Sequence, residues 1–418
     1  MTSAKQIDSL RAESRDLVNR WYEELGSEES DGRKVVYLFT SGSIAELLRA
    51  FDFRIVLPEM NAIRWSMQNV AVDMIHHGES LGYPPDICGY MKCDLGFTDE
   101  LYAGKAPFGK IPSPDLLVVS SGGCSTYIKW FEALEREFGC PLAIVDVPFV
   151  RENGGTDFDR QYIRTQLGEL VPVCEEVTGR KFDIDKLREI LGLSKQAMRL
   201  WEALLSMGKE RPSPLDGFFE AAYYMAPMTI LRGTQECIDY YRRAVGEIGE
   251  RAKRHASPAG KEKFRLLVDG APPWPNIREF RDMFWEWGAV AVAATYSRLV
   301  CACDEVDLEI DDPFDFLTEL AASSYLNWNL SKRRRFLEKL ADEYGVDGVV
   351  VHSVRSCRPY SIGQVDLRNY LAREAGIPAL FVDSDVSDPR YFSSAQIKNR
   401  IETFLEALDR RKQGSDKA

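Results

Sequence analysis

The sequence predicts an α/β protein: two Rossmann- or flavodoxin-like parallel-sheet lobes joined by a mostly helical segment. Three observations carry this. Each half of the chain contains an apolar run, Gly/Ser or Ser/Arg punctuation with a cysteine, a helical stretch and a second apolar run, which is the pattern of a strand–loop–helix–strand crossover. Strand–loop–helix openings occur at both Lys34 and Phe264. Between them, residues 150–260 read mostly as helix.

In order, an amphipathic helix spans about Ile7 to Leu25, and a Glu/Ser/Asp/Gly loop (Ser27 to Arg33) leads to a first strand, Lys34 to Phe39. The turn Thr40-Ser41-Gly42-Ser43 opens a helix over Ile44 to Ala50, with a second strand near Arg54 to Pro58. Leu117-Val118-Val119 is a strand whose loop ends at Gly123-Cys124, and a helix (Trp130 to Phe138) and a strand (Gly139 to Asp146) complete a first lobe over 1–150. The 151–260 segment carries helices over Gln161 to Val177, Ile184 to Lys209, Ser213 to Tyr224 and Gln235 to Arg254, and ends at the linker Ser257-Pro258-Ala259-Gly260. The second lobe, 261–418, starts with the strand Phe264 to Gly270 and runs through Ala289 to Ala294 and Val346 to Val351 to a loop bearing Cys357. A helix (Leu367 to Ala375), a strand (Gly376 to Asp383) and a charged helix (Ser394 to Arg411) follow, and the tail from Lys412 reads as disordered.

Composition excludes several function classes. A net charge of −12 argues against nucleic acid as a principal partner, because phosphate binding relies on basic surface. No window approaches the ~20 apolar residues needed to cross a bilayer, and the polar N-terminus lacks a signal-peptide core, so no membrane is expected and a cytoplasmic location is. There is no Walker loop, no Gly-x-Gly-x-x-Gly after a strand, no paired CxxC and no ferredoxin-type cysteine run. His76, His77, His255 and His352 form no metal motif.

What remains is cysteine. Nine in a chain exposed to reducing thiol pools do not imply disulfides. Cys140, Cys174 and Cys237 read as small buried hydrophobes. So do Cys301 and Cys303, whose segment has no loop punctuation to aim both thiols at one centre. Cys124 and Cys357 instead follow strands, where open parallel sheets bind their ligands, and Cys88 follows the helix-breaking Tyr83-Pro84-Pro85-Asp86. Three thiolates from separate loops would leave one iron of a [4Fe–4S] cluster open, an arrangement for catalysis rather than electron relay. Spacing alone leaves open that the three are unrelated buried thiols.

The segments Asp86-x-Cys88-x-x-x-Lys92, Gly123-Cys124-x-x-x-x-Lys129-Trp130-Phe131-Glu132 and Arg355-x-Cys357…Gly376-Ile377-Pro378…Asp385-x-x-Asp388-x-Arg390 carry a family resemblance. The chain resembles the superfamily of 2-hydroxyacyl-CoA dehydratases and class I, ATP-dependent benzoyl-CoA reductases, from about Lys34 to Leu408. Leu57 to Ala62, Pro212 to Asp216, Tyr223 to Met228 and Leu231 to Thr234 look closer to the B-type catalytic subunit of the reductases. Two features depart from the pattern or complicate it. Gly89 stands where the family often has Ser, and Cys93 lies close enough to the first loop to raise a fourth ligand.

The resemblance implies that Cys88, Cys124 and Cys357 ligate a [4Fe–4S] cluster with one open iron position. It implies an acyl-CoA or aryl-CoA substrate, a paralogous cluster-bearing subunit and reduced ferredoxin upstream, with ATP entering only through hydrolysing activator subunits. The expected activity is ring dearomatisation by low-potential single electrons through a ketyl. The alternatives are a 2-hydroxyacyl-CoA dehydratase subunit and a non-catalytic structural partner. Ser41 and Glu59 are the candidate catalytic residues, although Ser41 also suits a helix N-cap and Glu59 a solvated loop. The amides of Ser41, Gly42 and Ser43 are candidates for holding a CoA phosphate. Lys92, Lys129 and Arg355 are candidate cations near the cluster or ordinary surface charges.

Overall fold

The computed structural model of the chain describes residues 3–27, 32–40, 43–102, 110–149, 155–301 and 305–415. Helix α1 (Ser3–Gly26) leads into the first lobe: β1 (Val35–Leu38), α2 (Ala45–Ala50), β2 (Arg54–Val56), α3 (Pro58–Met67), α4 (Ala71–Ser80), α5 (Gly89–Tyr102), β3 (Leu116–Ser120), α6 (Ser125–Phe138) and β4 (Leu142–Val145). Five helices follow: α7 (Asp157–Thr178), α8 (Ile184–Ser206), α9 (Ala221–Tyr224), α10 (Ala226–Leu231) and α11 (Gln235–Lys253). The second lobe comprises β5 (Phe264–Asp269), α12 (Ile277–Trp285), β6 (Ala289–Ala294), α13 (Pro313–Ala322), α14 (Leu330–Glu343), β7 (Gly348–Val354), α15 (Gln364–Arg373), β8 (Ala379–Ser384) and α16 (Ser394–Ser415).

Each lobe is built on a four-stranded, all-parallel sheet, in the orders β2-β1-β3-β4 and β6-β5-β7-β8. Counted within each lobe, both read 2-1-3-4. This is a flavodoxin-type order, whose crevice opens beyond the strand ends between the first and third strands. The central strands β1, β3, β5 and β7 are buried along their whole length, as expected for strands covered on both faces. The edge strands β4 and β8 are only partly buried. Among the described residues, no helix is long and apolar enough to cross a membrane.

Three expectations are corrected. The second strand stops at Val56, because Pro58 takes the first position of α3, where its fixed φ and missing N–H suit a helix start. Glu59 therefore sits in a helical first turn, not a loop. The helix expected from Ser213 begins only at Ala221. Before it the Asp216 carboxylate accepts the N–H groups of Phe218 (3.0 Å) and Phe219 (2.7 Å) and holds turns instead. The tail is helical through Ser415, with Lys412 Nζ 2.7 Å from an Asp347 oxygen and donating to the Lys263 carbonyl.

A buried ion pair joins all three parts. Arg232, after α10, donates to Glu46 of α2 (2.6 Å), to the Ser43 carbonyl (2.8 Å) and to the Val300 carbonyl beyond β6 (2.6 Å). Ser194 of α8 also donates to Glu46 (2.8 Å). With every charge partnered, the pair fixes how the helices bridge the lobes, and removing either member would strand a buried charge.

Candidate active site

The three loop cysteines arrive by different routes at one cavity of about 640 Å³, lined from both lobes. Cys124 is the N-cap of α6, its sulfur accepting the Thr126 N–H (3.4 Å). Cys88 directly precedes α5, its carbonyl accepting the Lys92 N–H (3.1 Å) and its sulfur the N–H groups of Met91 and Tyr90. Cys357 lies in the turn after β7, where the Tyr360 N–H points at its sulfur. Each sulfur thus meets backbone N–H donors at the start of a helix or turn.

The two sheets meet through these loops. Gly89 N–H donates to Ser356 Oγ (3.0 Å), and Asp385 accepts the N–H groups of Ser356 (3.1 Å), Ser387 (3.0 Å) and Asp388 (3.1 Å). A Cβ on Gly89 would lie 2.6 Å from Asp385 Oδ1, which gives the departure at this position a physical reason. The lobes come too close there for any side chain. Behind the contact, Glu79 receives Lys92 Nζ (2.9 Å) and Arg390 (2.7 Å), and Arg390 also grips Asp388 (2.6 Å). The hydrogen bond from Arg390, ahead of that from Lys92, holds the Glu79 carboxyl down at about 2.

Glu59 lines the same cavity at 6 % exposure. Its Oε2 accepts the Thr40 N–H (2.7 Å) and the Thr40 hydroxyl, and its Oε1 accepts the Tyr127 hydroxyl. Burial raises its pKa against the opposing pull of these bonds, so desolvation favours the neutral acid. Opposite stands a second relay. Trp274 Nε1–H donates to Tyr90 Oη (2.6 Å), and the Tyr90 and Tyr296 hydroxyls are hydrogen-bonded to each other. Burial raises both tyrosines, and both feel the charge of Glu59.

Other predicted residues fall elsewhere. Ser41 and Gly42 lie outside the described residues, as does Cys303. Ser43 is buried away from the cavity lining, its Oγ accepting the Ala45 N–H (3.3 Å). Cys93 is fully buried in the first lobe and does not line the cavity. Five residues past Cys88, it points about 140° around the helix from it. Lys92, 1 % exposed, is a buried structural cation rather than a surface one. Lys129 (71 % exposed) pairs with Glu132, and Arg355 lies against Asp383 and the Tyr391 ring.

Sequence reasoning missed the tyrosines. Tyr90, Tyr127 and Tyr360 follow Cys88, Cys124 and Cys357 by two or three residues, and all three line the cavity. That recurrence was the available signal.

Burial pushes the Cys88 thiol up to about 12 and Cys357 well above its usual range, and the neighbouring cysteines push both the same way. Thiols that raise one another need a cation to ionise them, and coordination to iron deprotonates a thiol outright. Among the described residues no group of three or more His, Cys, Asp or Glu is arranged to hold a metal ion. A cubane poses a different geometric problem, because each thiolate binds a separate iron. Three soft donors on separate loops, each with backbone N–H support, fit such a cluster.

The family model for the D-component of 2-hydroxyglutaryl-CoA dehydratase matches residues 42–408. The chain is 37 % identical to the B-type subunit of benzoyl-CoA reductase of Thauera aromatica, across 98 % of this chain and 97 % of that protein. It is 29 % identical to the alpha subunit of (R)-2-hydroxyisocaproyl-CoA dehydratase of Clostridioides difficile, across 95 % of each. To the alpha subunit of (R)-2-hydroxyglutaryl-CoA dehydratase of Acidaminococcus fermentans it is 24 % identical, across 94 % of this chain and 96 % of that protein. The chain belongs to this family of enzyme subunits.

Proposed function

We propose that this member of the 2-hydroxyglutaryl-CoA dehydratase D-component family is the iron–sulfur catalytic subunit of an ATP-dependent aryl-CoA reductase of the benzoyl-CoA type. The observation that carries the reading is the convergence of Cys88, Cys124 and Cys357 on a cavity that also holds the buried acid Glu59. The similarity to the B-type subunit of benzoyl-CoA reductase supports the substrate class. On this reading the three cysteines hold a [4Fe–4S] cluster with an open iron position, and the cluster when bound supplies single electrons near the low end of its range, about −700 mV. ATP acts through partner subunits, with reduced ferredoxin upstream and a paralogous cluster-bearing subunit alongside. The assembly works in the cytoplasm.

The chain's own residues do two things for this chemistry. A thioester carbonyl that accepts an electron becomes a ketyl oxyanion, which needs fixed donors in a wall poor in water. When Tyr90 donates to Tyr296, the Trp274→Tyr90→Tyr296 chain leaves the Tyr296 O–H as its terminal donor, strengthened by the two bonds behind it. Glu59 and Tyr127 manage protons. When Glu59 is neutral, its Oε1–H donates to Tyr127 Oη and frees the Tyr127 proton for the substrate. The substrate carbon gains that proton, Tyr127 regains one from Glu59, and Glu59 Oε2 stays held by Thr40.

A second reading, a 2-hydroxyacyl-CoA dehydratase subunit, is favoured by the matched family model and by the relatives at 29 % and 24 % identity. One experiment separates the readings. The anaerobically purified chain is assayed for iron and acid-labile sulfide, then combined with its ATP-hydrolysing partner and a measured amount of reductant. About four irons per chain with reductant consumed at every turnover supports the reductase. The same iron with only a catalytic need for reductant supports the dehydratase. No iron after reconstitution sinks both and leaves a structural partner.

A further inference from the structure

Among the described residues, six arginines line the cavity, Arg11, Arg15, Arg64, Arg278, Arg281 and Arg358, against one carboxylate, Glu59. The chain as a whole carries 65 acidic and 53 basic residues, so this wall inverts the sign of the molecule. Four of the six come as pairs from two elements. Arg11 and Arg15 are four apart on α1, and Arg278 and Arg281 are three apart on α12. Like charges at those spacings repel; Arg11 lies over the Tyr223 ring (3.8 Å) and Arg281 over the Trp285 ring (4.7 Å), contacts that hold the stems and leave charge facing the cavity. Two of the four meet carboxylates at the periphery. Arg15 faces Asp16 at 3.4 Å with both side chains more than half exposed, and Arg281 faces its neighbour Asp282 at 2.6 Å. Arg278 is exposed and makes no hydrogen bond or ion pair among the described residues.

The cavity is therefore graded. Buried thiols and a buried acid occupy one part, and guanidinium groups in contact with solvent occupy another. An acyl group alone gives such a wall nothing to bind. A ligand with an apolar reacting end and several phosphates at its far end matches both. We infer that Arg278 and Arg281, with Arg11 and Arg15 from α1, are the docking points for the phosphates of the coenzyme A handle, guanidinium forks being matched to phosphate oxygens. This rests on the thioester reading above and names the residues that would hold the substrate's nucleotide end. It assigns phosphate recognition to the arginine wall.

The test is isothermal titration of the anaerobic full chain with benzoyl-CoA and with S-benzoylpantetheine, the same thioester lacking the nucleotide and its phosphates. The double substitution Arg278→Gln/Arg281→Gln is expected to weaken benzoyl-CoA binding about tenfold or more, with S-benzoylpantetheine held within about twofold. Arg11→Gln/Arg15→Gln should act in the same direction and serves if the first variant misfolds. Added salt should weaken only the benzoyl-CoA titration. Wild-type affinity for benzoyl-CoA in both double variants, or equal loss of both thioesters, overturns the assignment. Wild-type protein that binds neither thioester overturns it together with the reading on which it rests.

Discussion

The two lobes share a strand order and place polar groups at matching positions, yet among the described residues only the first brings a carboxyl group to the cavity. Two or three residues past the end of the second strand the first lobe has Glu59 and the second has Tyr296; both line the cavity. Past the third strand come Cys124 in one and Cys357 in the other. The interiors then diverge. In the second lobe, Asp269 at the end of β5 is closed off by Thr295 (2.8 Å), Tyr325 (2.9 Å) and Gln364 (3.1 Å). His352 is likewise closed, giving its Nδ1–H to the Ala271 carbonyl (2.6 Å) and accepting from Ser384 Oγ (2.7 Å). The first lobe leaves Glu59 backed by Thr40 and Tyr127 at the cavity wall and adds a second cysteine, Cys88, whereas among the described residues the second lobe brings only Cys357 to it. Two sheets of one strand order thus furnish the cavity asymmetrically: the first lobe brings Glu59, Cys88 and Cys124 to it, the second Cys357 and Tyr296.

The largest expected effect tests whether the lobes share one centre. Cys88→Ala, Cys124→Ala and Cys357→Ala should each lose the iron of anaerobically purified protein and abolish turnover, although they sit on different lobes. Cys93→Ala should keep both and cost only about 1 kcal/mol of stability for a small buried void. Iron that survives any one of the first three, or vanishes with Cys93, would break the shared-centre picture. The next effect tests the asymmetry itself. Tyr127→Phe and Glu59→Gln should each lower kcat by about 10²–10⁴ with iron content unchanged, the range for a lost acid–base group. If Tyr296→Phe matched that loss while Tyr127→Phe did not, the proton-bearing lobe would have been misassigned.

Much of this was legible in the chain. Uninterrupted runs such as Leu117-Val118-Val119 and Val349-Val350-Val351 mark strands buried on both faces, and the cysteines after them could be placed before any fold was seen. Helix starts hidden by proline were not legible: Leu57-Pro58-Glu59 reads as strand end and loop, while the chain makes it a helical first turn that buries the acid. Nor were the partners of buried cations. Lys92 looks like a surface cation until Glu79 and the Pro85 carbonyl (2.7 Å) are brought to it. Arg265 interrupts a strand until the carbonyls of Gly208, Glu210 and Tyr344 surround it. These partners of Arg265 lie more than fifty residues away and leave no local pattern, and those of Lys92, though closer, depend on how the Pro84-Pro85 turn folds back.

A middling effect tests the contact between the lobes. Gly89→Ser places a Cβ 2.6 Å from Asp385 Oδ1, so the Asp385 turn must yield, at about 1–3 kcal/mol for overpacking. Asp385→Ala should partly relieve the double variant in denaturant unfolding. If Gly89→Ser were as stable as wild type, the lobes would not be held at this contact.

The smallest effect separates the lobes by the sign of their pH dependence. Burial raises Asp94, in α5 of the first lobe, to about 7, with bonds from Trp130 and Asn61 opposing. Burial lowers His352, in β7 of the second, to about 4. Folded Asp94 binds more protons than unfolded Asp94 between about pH 4 and 7, so its contribution is present at low pH and lost as pH rises through that window. Folded His352 binds fewer than its unfolded form between about pH 4 and 6.5, so its contribution is lost as pH falls. Each is worth on the order of 1–3 kcal/mol across its window, and in the wild type the two largely cancel. Asp94→Asn should therefore expose a stability that climbs with pH between 4 and 6.5, and His352→Gln one that declines. If the urea midpoints of both variants ran parallel to wild type across that range, these groups would not hold their protons as the burial of each lobe dictates.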